Sequence, residues 1–292
     1  MTQAMTIRRL KVTDLQGALK LTQAEKWPHR AEDWAFHFSL GQGWVACNQS
    51  DQVVGTILIW PFGDSGKIST TGLIVVDPSC QGQGIGRRLL QKAITCANNQ
   101  ELRLVSTAAG FKLYQNNGFE KIGLIRQCQG IPIQIPTVEL PQGMELRDLQ
   151  TKDLHAITKL DSHAFGCTRQ PLLQSLLDAG VGRALTNEKG IAAFAIIRQG
   201  GRGVQFGPIV AENDEQAKCL IASLLPDSTT FTRIDITDQA TGLVSWLYNM
   251  GMVQVDEVTY MALRPEQKSQ PGNDDAAVSQ THTYALVSQA LC

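Results

Sequence analysis

The chain has no C-x-x-C pair and no cluster of cysteines. Its seven cysteines, Cys47, Cys80, Cys96, Cys128, Cys167, Cys219 and Cys292, are scattered and odd in number. That argues against a disulfide framework and a zinc site, and fits a reducing compartment; no metal is expected. An excess of one charge is also missing. With 26 Lys and Arg against 27 Asp and Glu, the net charge is −1, and no long-range field draws the chain to nucleic acid or an anionic membrane. No apolar run approaches membrane-spanning length, and the N-terminus lacks a secretory pattern. A cytoplasmic protein without membrane or nucleic-acid partners is therefore expected. What remains, 43% hydrophobic and 18% charged residues, is ordinary for a globular protein, and 292 residues suffice for two domains with their own cores.

Glycine is concentrated in one place. In Gly72-Leu-Ile-Val-Val-Asp-Pro-Ser-Cys-Gln-Gly-Gln-Gly-Ile-Gly-Arg-Arg-Leu-Leu90 an apolar β-branched run ends at Asp77-Pro78, and a glycine-rich turn opens a helix predicted from Arg87 to Asn98. Gly82, Gly84 and Gly86 leave the loop backbone uncovered, so successive N–H groups can converge on one anion. The helix adds its positive dipole end, and Arg87 and Arg88 add full charges. A diphosphate suits this loop. The spacing is G-x-G-x-G, not the G-x-G-x-x-G of a dinucleotide fold, and the Gly-Lys-Ser/Thr ending of a Walker loop is absent.

Gln81-Gly-Gln-Gly84-Ile-Gly86 fits Q/R-x-x-G-x-G/A, which resembles the acetyl-CoA pyrophosphate loop of the GNAT (GCN5-related) N-acetyltransferases. Downstream, Leu113-Tyr114-Gln-Asn-Asn-Gly118-Phe119 is similar to the family's L-Y-x-x-x-G-F segment, with a helix and a strand (Leu102 to Ser106) between the two motifs. The resemblance implies an α/β (α+β) fold, with a mixed, mostly antiparallel central sheet flanked by helices. It also implies acetyl-CoA as co-substrate. Gln81, Gly82, Gln83, Gly84, Ile85, Gly86 and Arg87 would then hold the diphosphate. Ile74, Val75 and Val76 would pair their backbone with the pantetheine arm, and an N–H near Val75 would stabilise the oxyanion. Gln81 replaces the commoner arginine and removes one charge from that shell. Thr107 stands where many members carry an asparagine that bonds the pantetheine arm.

The chain repeats itself. Ile7-Arg-Arg-Leu-Lys-Val-Thr-Asp-Leu-Gln-Gly-Ala-Leu-Lys-Leu21 aligns without gaps with Leu146-Arg-Asp-Leu-Gln-Thr-Lys-Asp-Leu-His-Ala-Ile-Thr-Lys-Leu160. Each copy reads as a short strand, an N-cap at Thr13-Asp14 or Thr151 to Asp153, and an amphipathic helix. Gly207 to Glu212 echoes Gly72 to Asp77, and Leu247 to Gly251 echoes Tyr114 to Gly118. After Glu212, however, Asn213-Asp-Glu-Gln-Ala217 has no glycine and two further carboxylates, which repel a phosphate. Leu247 stands at the Tyr114 position. The chain as a whole, over about residues 5–264, resembles bacterial tandem GNAT proteins in which an active N-terminal domain precedes a degenerate one. Trp27 to Trp34, Ser106 to Gly110, Ala164 to Arg169 and Phe206 to Ala211 carry that likeness. The expected divisions are 1–130 for the acetyl-CoA-binding domain and 131–143 for a Pro- and Gly-rich linker. The degenerate domain would span 144–265, and 266–292 would form a spacer and C-terminal segment. Within the last, Gln267 to Ala276 reads as a flexible spacer, and Val278 to Leu291 is apolar enough to dock back.

Tyr114 is the candidate catalytic acid. A thiolate leaving group has a conjugate acid of pKa about 8.5, and a phenol near 10 can hydrogen-bond or protonate it as the C–S bond breaks. The general base is not identifiable from sequence; Glu32, Asp33, His29 and His37 are candidates, as is a water chain. Trp27 and Trp34 flank the acceptor side, and Phe165, Arg169 and Asp235 read as interior packing and ion pairing more readily than as pocket residues. The resulting expectation is direct transfer of acetyl from acetyl-CoA to a primary amine of a small molecule or peptide, with a homodimer allowed for. The alternatives are an acyl-CoA-binding sensor and a transferase for a longer acyl chain.

Overall fold

The computed structural model describes residues 5–63, 67–225, 229–265 and 281–292. The first half runs β1 (Thr6–Arg9), α1 (Leu15–Ala24), α2 (Ala31–Ser39), β2 (Gln42–Cys47), β3 (Val53–Phe62), β4 (Ile68–Val76), α3 (Ile85–Ala97), β5 (Glu101–Ser106), α4 (Phe111–Gln115) and β6 (Glu120–Gly130). The second repeats that order as β7 (Glu145–Asp148), α5 (Leu154–Phe165), α6 (Gln170–Ala179), β8 (Gly180–Asn187), β9 (Gly190–Gly200), β10 (Gly203–Ala211), α7 (Asp214–Leu224), β11 (Thr232–Thr237), α8 (Thr241–Asn249) and β12 (Val253–Leu263), and then adds β13 (His282–Ala285). Residues 131–144, between the halves, contain no helix or strand. The expected spacer at 267–276 lies outside the described residues.

The repeat is reproduced in detail at its first corner. Arg8 grips Asp14 at 2.7 and 2.9 Å, and Arg147 grips Asp153 at 2.7 and 2.9 Å. These aspartates do not cap forward as the sequence suggested. Asp14 accepts from the Lys11 amide and Asp153 from the Gln150 amide, because a 3-10 turn precedes each helix and the carboxylate reaches back across it. The following helices bury one stripe each. On α3, for example, Ile85, Leu89, Leu90, Ala93 and Ala97 are buried while Arg87, Arg88, Gln91 and Lys92 face water. That helix starts two residues earlier than predicted, because left-handed Gly84 is its N-cap.

The halves do not keep separate sheets. Among the described residues, thirteen strands form one sheet in the order β1-β2-β3-β4-β5-β12-β6-β11-β13-β10-β9-β8-β7. The last long strand of each half has crossed to the other. Residues Thr259 to Leu263 of β12 pair with β5, residues 125–130 of β6 pair with β11, and β6 and β12 pair with each other at the centre. Each exchanged strand closes the edge that the other half would leave open. One core cluster also joins Ala18, Trp34 and Trp60 of the first half to Ile157, Leu172 and Phe194 of the second.

Among the described residues, all pairings are antiparallel except β4 with β5 and β10 with β11. Both parallel pairs splay. The β4–β5 pairing stops at Thr70 opposite Arg103, and the β10–β11 pairing at Phe206 opposite Ile234. The first gap is open. The second is filled by the chain itself: β13 pairs antiparallel with β10 (Ile209 with Ala285, Ala211 with His282) and meets β11 at Ile236. The approach is close at Gly207, where a Cβ would run into the Leu286 carbonyl oxygen. Docking of the C-terminal segment was thus readable from its apolar residues, although its place in the sheet was not.

Candidate active site

The open gap between β4 and β5 leads into one cleft of about 690 Å³. Of the residues singled out from the sequence, Ile74, Val75, Val76, Gln81, Gly82, Gly84, Ile85, Gly86, Arg87, Thr107 and Tyr114 all line it. Gln83 sits exposed at the tip of the loop, outside the lining. Arg88, exposed on α3, is also outside the lining and reaches the Met5 carbonyl.

The glycine loop has the geometry its sequence implied. Gly82 and Gly84 both take φ +75°, the left-handed region where a side chain is strained, and a Cβ on either would meet nothing within 4 Å. Gly84 caps α3 without a side-chain hydrogen bond, so the first amides of the helix are left for an external acceptor. Gly86 differs: it has no left-handed φ, and a Cβ there would make only an ordinary contact with Leu113 at 3.5 Å. In the second half the equivalent turn satisfies itself. Asn213 accepts from the Gln216 amide at 3.0 Å, the Gln216 side chain accepts from the Glu212 amide, and Asp214 and Glu215 occupy the first turn of α7.

Strand β4 is bulged in the middle of the cleft. Against β3, Gly72 faces Leu58 but Val75 faces Thr56, so one extra residue is accommodated at Leu73-Ile74, and Leu73 has φ +51°. The Thr56 hydroxyl donates to the Leu73 carbonyl at 2.7 Å and fixes the bulge. Beyond Thr70 the other edge of β4 makes no pairing with β5, which leaves main-chain groups of residues 71–76 facing the cleft.

Tyr114 projects from the short α4 against Gly110, where a Cβ would lie 2.8 Å from its ring. Its side chain is 7% exposed, and burial alone pushes the phenol well above its usual range. Thr107 starts the same turn, its hydroxyl accepting from the Gly110 amide at 3.3 Å.

The other end of the cleft lies between the halves. Trp27, His29, Asp33 and His37 reach it from the first half, as do Arg198, Gln205 and Arg233 from the second and Ser288, Gln289 and Ala290 from the last segment. Two candidates are removed. Glu32 is exposed outside the cleft, and Trp34 is fully buried with its indole N–H on Thr22. Asp33 lines the cleft but is committed: it accepts from the Arg30 side chain and amide and from the Gly201 amide, which together hold its carboxyl down at about 2 despite burial. His37 is fully enclosed. Its Nδ1 lies 2.6 Å from the Asp33 carbonyl oxygen and so carries the proton, leaving Nε2 as acceptor 3.4 Å from Ser288 Oγ. Burial and the Arg198 charge lower its pKa to about 3. His29 faces the cleft with its pKa lowered to about 4, mainly by burial. Phe165 and Arg169 are interior: Arg169 stacks on Phe165 at 3.9 Å and pairs bidentately with Asp161 at 2.7 and 3.0 Å. Asp235 is fully buried behind Arg233, Gln205 and Gln289. Among the described residues, no group of three or more His, Cys, Asp or Glu is placed to hold a metal, and no helix is long and apolar enough to cross a membrane. All seven cysteines are free thiols.

Comparison with known proteins gives a consistent result. Family models described as acetyltransferase (GNAT) domains match residues 39–121 and, separately, 157–274. An uncharacterized N-acetyltransferase, YitH, of Bacillus subtilis (strain 168) is 30% identical over 287 residues, covering 97% of each chain. The fold is similar to that of a candidate acetyltransferase of Pyrococcus horikoshii (TM-score 0.76, 19% identity, 100% of this chain and 97% of that one). It is also similar to a tandem GNAT protein from the clavulanic acid biosynthesis pathway (TM-score 0.65, 12% identity, 91% and 100%). The chain belongs to the GNAT family of acetyltransferases, with two such domains in tandem.

Proposed function

We propose that the first half transfers an acetyl group from acetyl-CoA directly to a primary amine, and that the second half serves as wall rather than as a second enzyme. One observation carries this reading. The splayed strands, the uncapped helix start and a buried tyrosine meet on one cleft in the first half, whereas the second half has filled or replaced all three. Its gap holds β13, its helix is capped by Asn213, and Leu247 takes the tyrosine position within the core.

Acetyl-CoA, when bound, supplies an activated thioester; the chain supplies placement and charge. The free amides at the start of α3, with Arg87 beside them, suit a diphosphate. The open edge of residues 74–76 suits an extended, amide-bearing arm. A main-chain N–H of the bulge at Leu73-Ile74 is the donor for a carbonyl oxygen gaining negative charge, one position earlier than the Val75 neighbourhood suggested by sequence. Tyr114, protonated because it is buried, donates to the departing sulfur. The amine's proton leaves through the cleft to solvent, since His29 on its wall, with its pKa lowered to about 4, is too weak a base to hold it at neutral pH. No cysteine is needed, since both reactants are held together and proximity replaces an acyl-enzyme.

Calorimetric titration with acetyl-CoA tests the reading. One site per chain, lost in Gly84→Asp, is expected; two sites would restore the second half as an enzyme, and none would end the acetyltransferase assignment.

A further inference from the structure

The amine end of the cleft is short of negative charge. Arg30, Arg198 and Arg233 share two carboxylates there, Asp33 and Asp235. Asp235 is taken by Arg233, whose Nε and Nη2 lie 2.9–3.2 Å from its two oxygens. Asp33 is taken by Arg30 at 3.0 and 3.1 Å and by two amides. Arg198 is left with the loosest pairing. It is 4% exposed, its Nη1 lies 3.6 Å from Asp33, its Nε has no partner, and its guanidinium rests on the Phe36 ring at 4.6 Å. His29 and His37 are neutral and offset nothing. A buried cation matched this poorly is costly unless something else supplies the anion.

Beside it stands a wall of amides. Asp235 accepts from Gln205 and Gln289 at 3.3 Å each, Gln289 donates to Gln127 at 3.2 Å, and Gln127 donates to Gln129 at 3.0 Å. Side chains from β6, β10 and the last segment are thus locked into one polar, uncharged surface next to Arg233. Two further carboxylates, half-buried Glu25 and exposed Asp256, line the cleft, but Lys26 and Arg202 line it as well, so the cations of this end are not offset by them.

We propose that the acceptor amine carries an anionic oxygen group, a carboxylate or a phosphate, which binds against Arg198 and Arg233 and the glutamine wall. Amino acids and aminoalkyl phosphates are then the substrate class, and diamines and polyamines are excluded by repulsion. The inference rests on the acetyl-transfer reading. It also deepens it, because the same cations disfavour the ammonium form of a nearby amine and so present it as a nucleophile.

The test uses matched amines with saturating acetyl-CoA and follows CoA thiol release: each amino acid against its amide, lysine against cadaverine, and ethanolamine against O-phosphoethanolamine. The expected result is a kcat/KM at least about tenfold higher for the acid-bearing member of a pair, the scale of one charge-assisted contact. Preference confined to carboxylates, or to the phosphate, identifies which group is bound. Arg198→Gln should erase the preference by lowering only the acid-bearing member, with the calorimetric affinity for acetyl-CoA retained. Should that variant not fold, the matched pairs in the unaltered protein still decide. Equal or faster turnover of amides and diamines overturns the inference and leaves acetyl transfer standing, as does binding of acetyl-CoA without turnover of any acid-bearing amine. Failure to bind acetyl-CoA at all refutes the underlying reading instead.

Discussion

Ala290 rests on Gly72. A Cβ built on Gly72 would lie 2.9 Å from the Ala290 Cα and 3.0 Å from its Cβ, so the last segment of the chain presses on the bulged strand of the first half's cleft. The same segment fills the second half's gap five to eight residues earlier, at β13. One stretch of chain therefore closes one cleft and finishes the wall of the other.

Gly72→Ala should expose that dependence. The added methyl has main-chain atoms against it and no flexible tip to displace, so the last segment or β4 must shift. A destabilisation of about 1–3 kcal/mol is expected from overpacking, read as a lower urea midpoint. Acetyl-CoA affinity should change less than turnover, because the loop at Gly82 to Gly86 lies outside the contact. Unchanged stability and turnover would mean that the segment docks too loosely to shape the site.

Gly84→Asp should abolish acetyl-CoA binding with little loss of stability. An aspartate tolerates φ +75° better than most side chains, at a cost of about 1 kcal/mol. Its charge, however, would stand at the uncapped helix start, where the proposed site takes the diphosphate. Retained binding by calorimetry would reject the loop assignment.

Tyr114→Phe should lower kcat by about 10²-fold, at the lower end of general acid catalysis, and leave the acetyl-CoA Kd nearly unchanged. Because burial raises the phenol's pKa, Tyr114 stays protonated through the working range, so the alkaline side of a pH–rate profile should not report its ionisation. A fall in kcat with pH that disappears in Tyr114→Phe would contradict this.

Much of the site was legible because it is local. The loop from Gln81 to Gly86 and the turn from Thr107 to Tyr114 each specify their own backbone, and the repeat announced a second, altered copy. The strand exchange left no such mark. Alternation along Glu120 to Gly130 and Val253 to Leu263 says which face is buried, but not which neighbour supplies the edge, and either half would have satisfied it. At the other end of the cleft Trp27, His29, Asp33 and His37 were named from sequence, but the opposite wall was hidden for the same reason, being assembled from β6, β9, β10, β11 and the last segment. A faint signal existed in Ile191-Ala-Ala-Phe-Ala-Ile-Ile-Arg198, where an apolar strand ends on an arginine that proves almost wholly buried. Gln127 and Gln129, alternating with Cys128 on a strand, were a second.

The two neutral histidines give the chain a predictable acid weakness. His29 and His37 have pKa values lowered from 6.5 to about 4 and about 3, chiefly by burial, with the Arg198 charge acting in the same direction. In the unfolded chain both take up protons as the pH falls through 6.5, whereas the folded chain refuses them until far lower. The unfolded state therefore binds more protons throughout that window, and stability present above pH 6.5 is lost progressively as the pH drops toward 4. Each unit of separation is worth about 1.4 kcal/mol per histidine, so the urea midpoint should fall clearly between pH 7.5 and pH 5.0. His37→Asn can retain a donor to the Asp33 carbonyl while removing the titrating ring. It should lower stability at pH 7.5, where the packing is lost, yet reduce the further drop at pH 5.0. A drop as steep as in the unaltered chain would place the acid sensitivity elsewhere, on carboxylates such as Asp33 that lose their arginine partners only near pH 2.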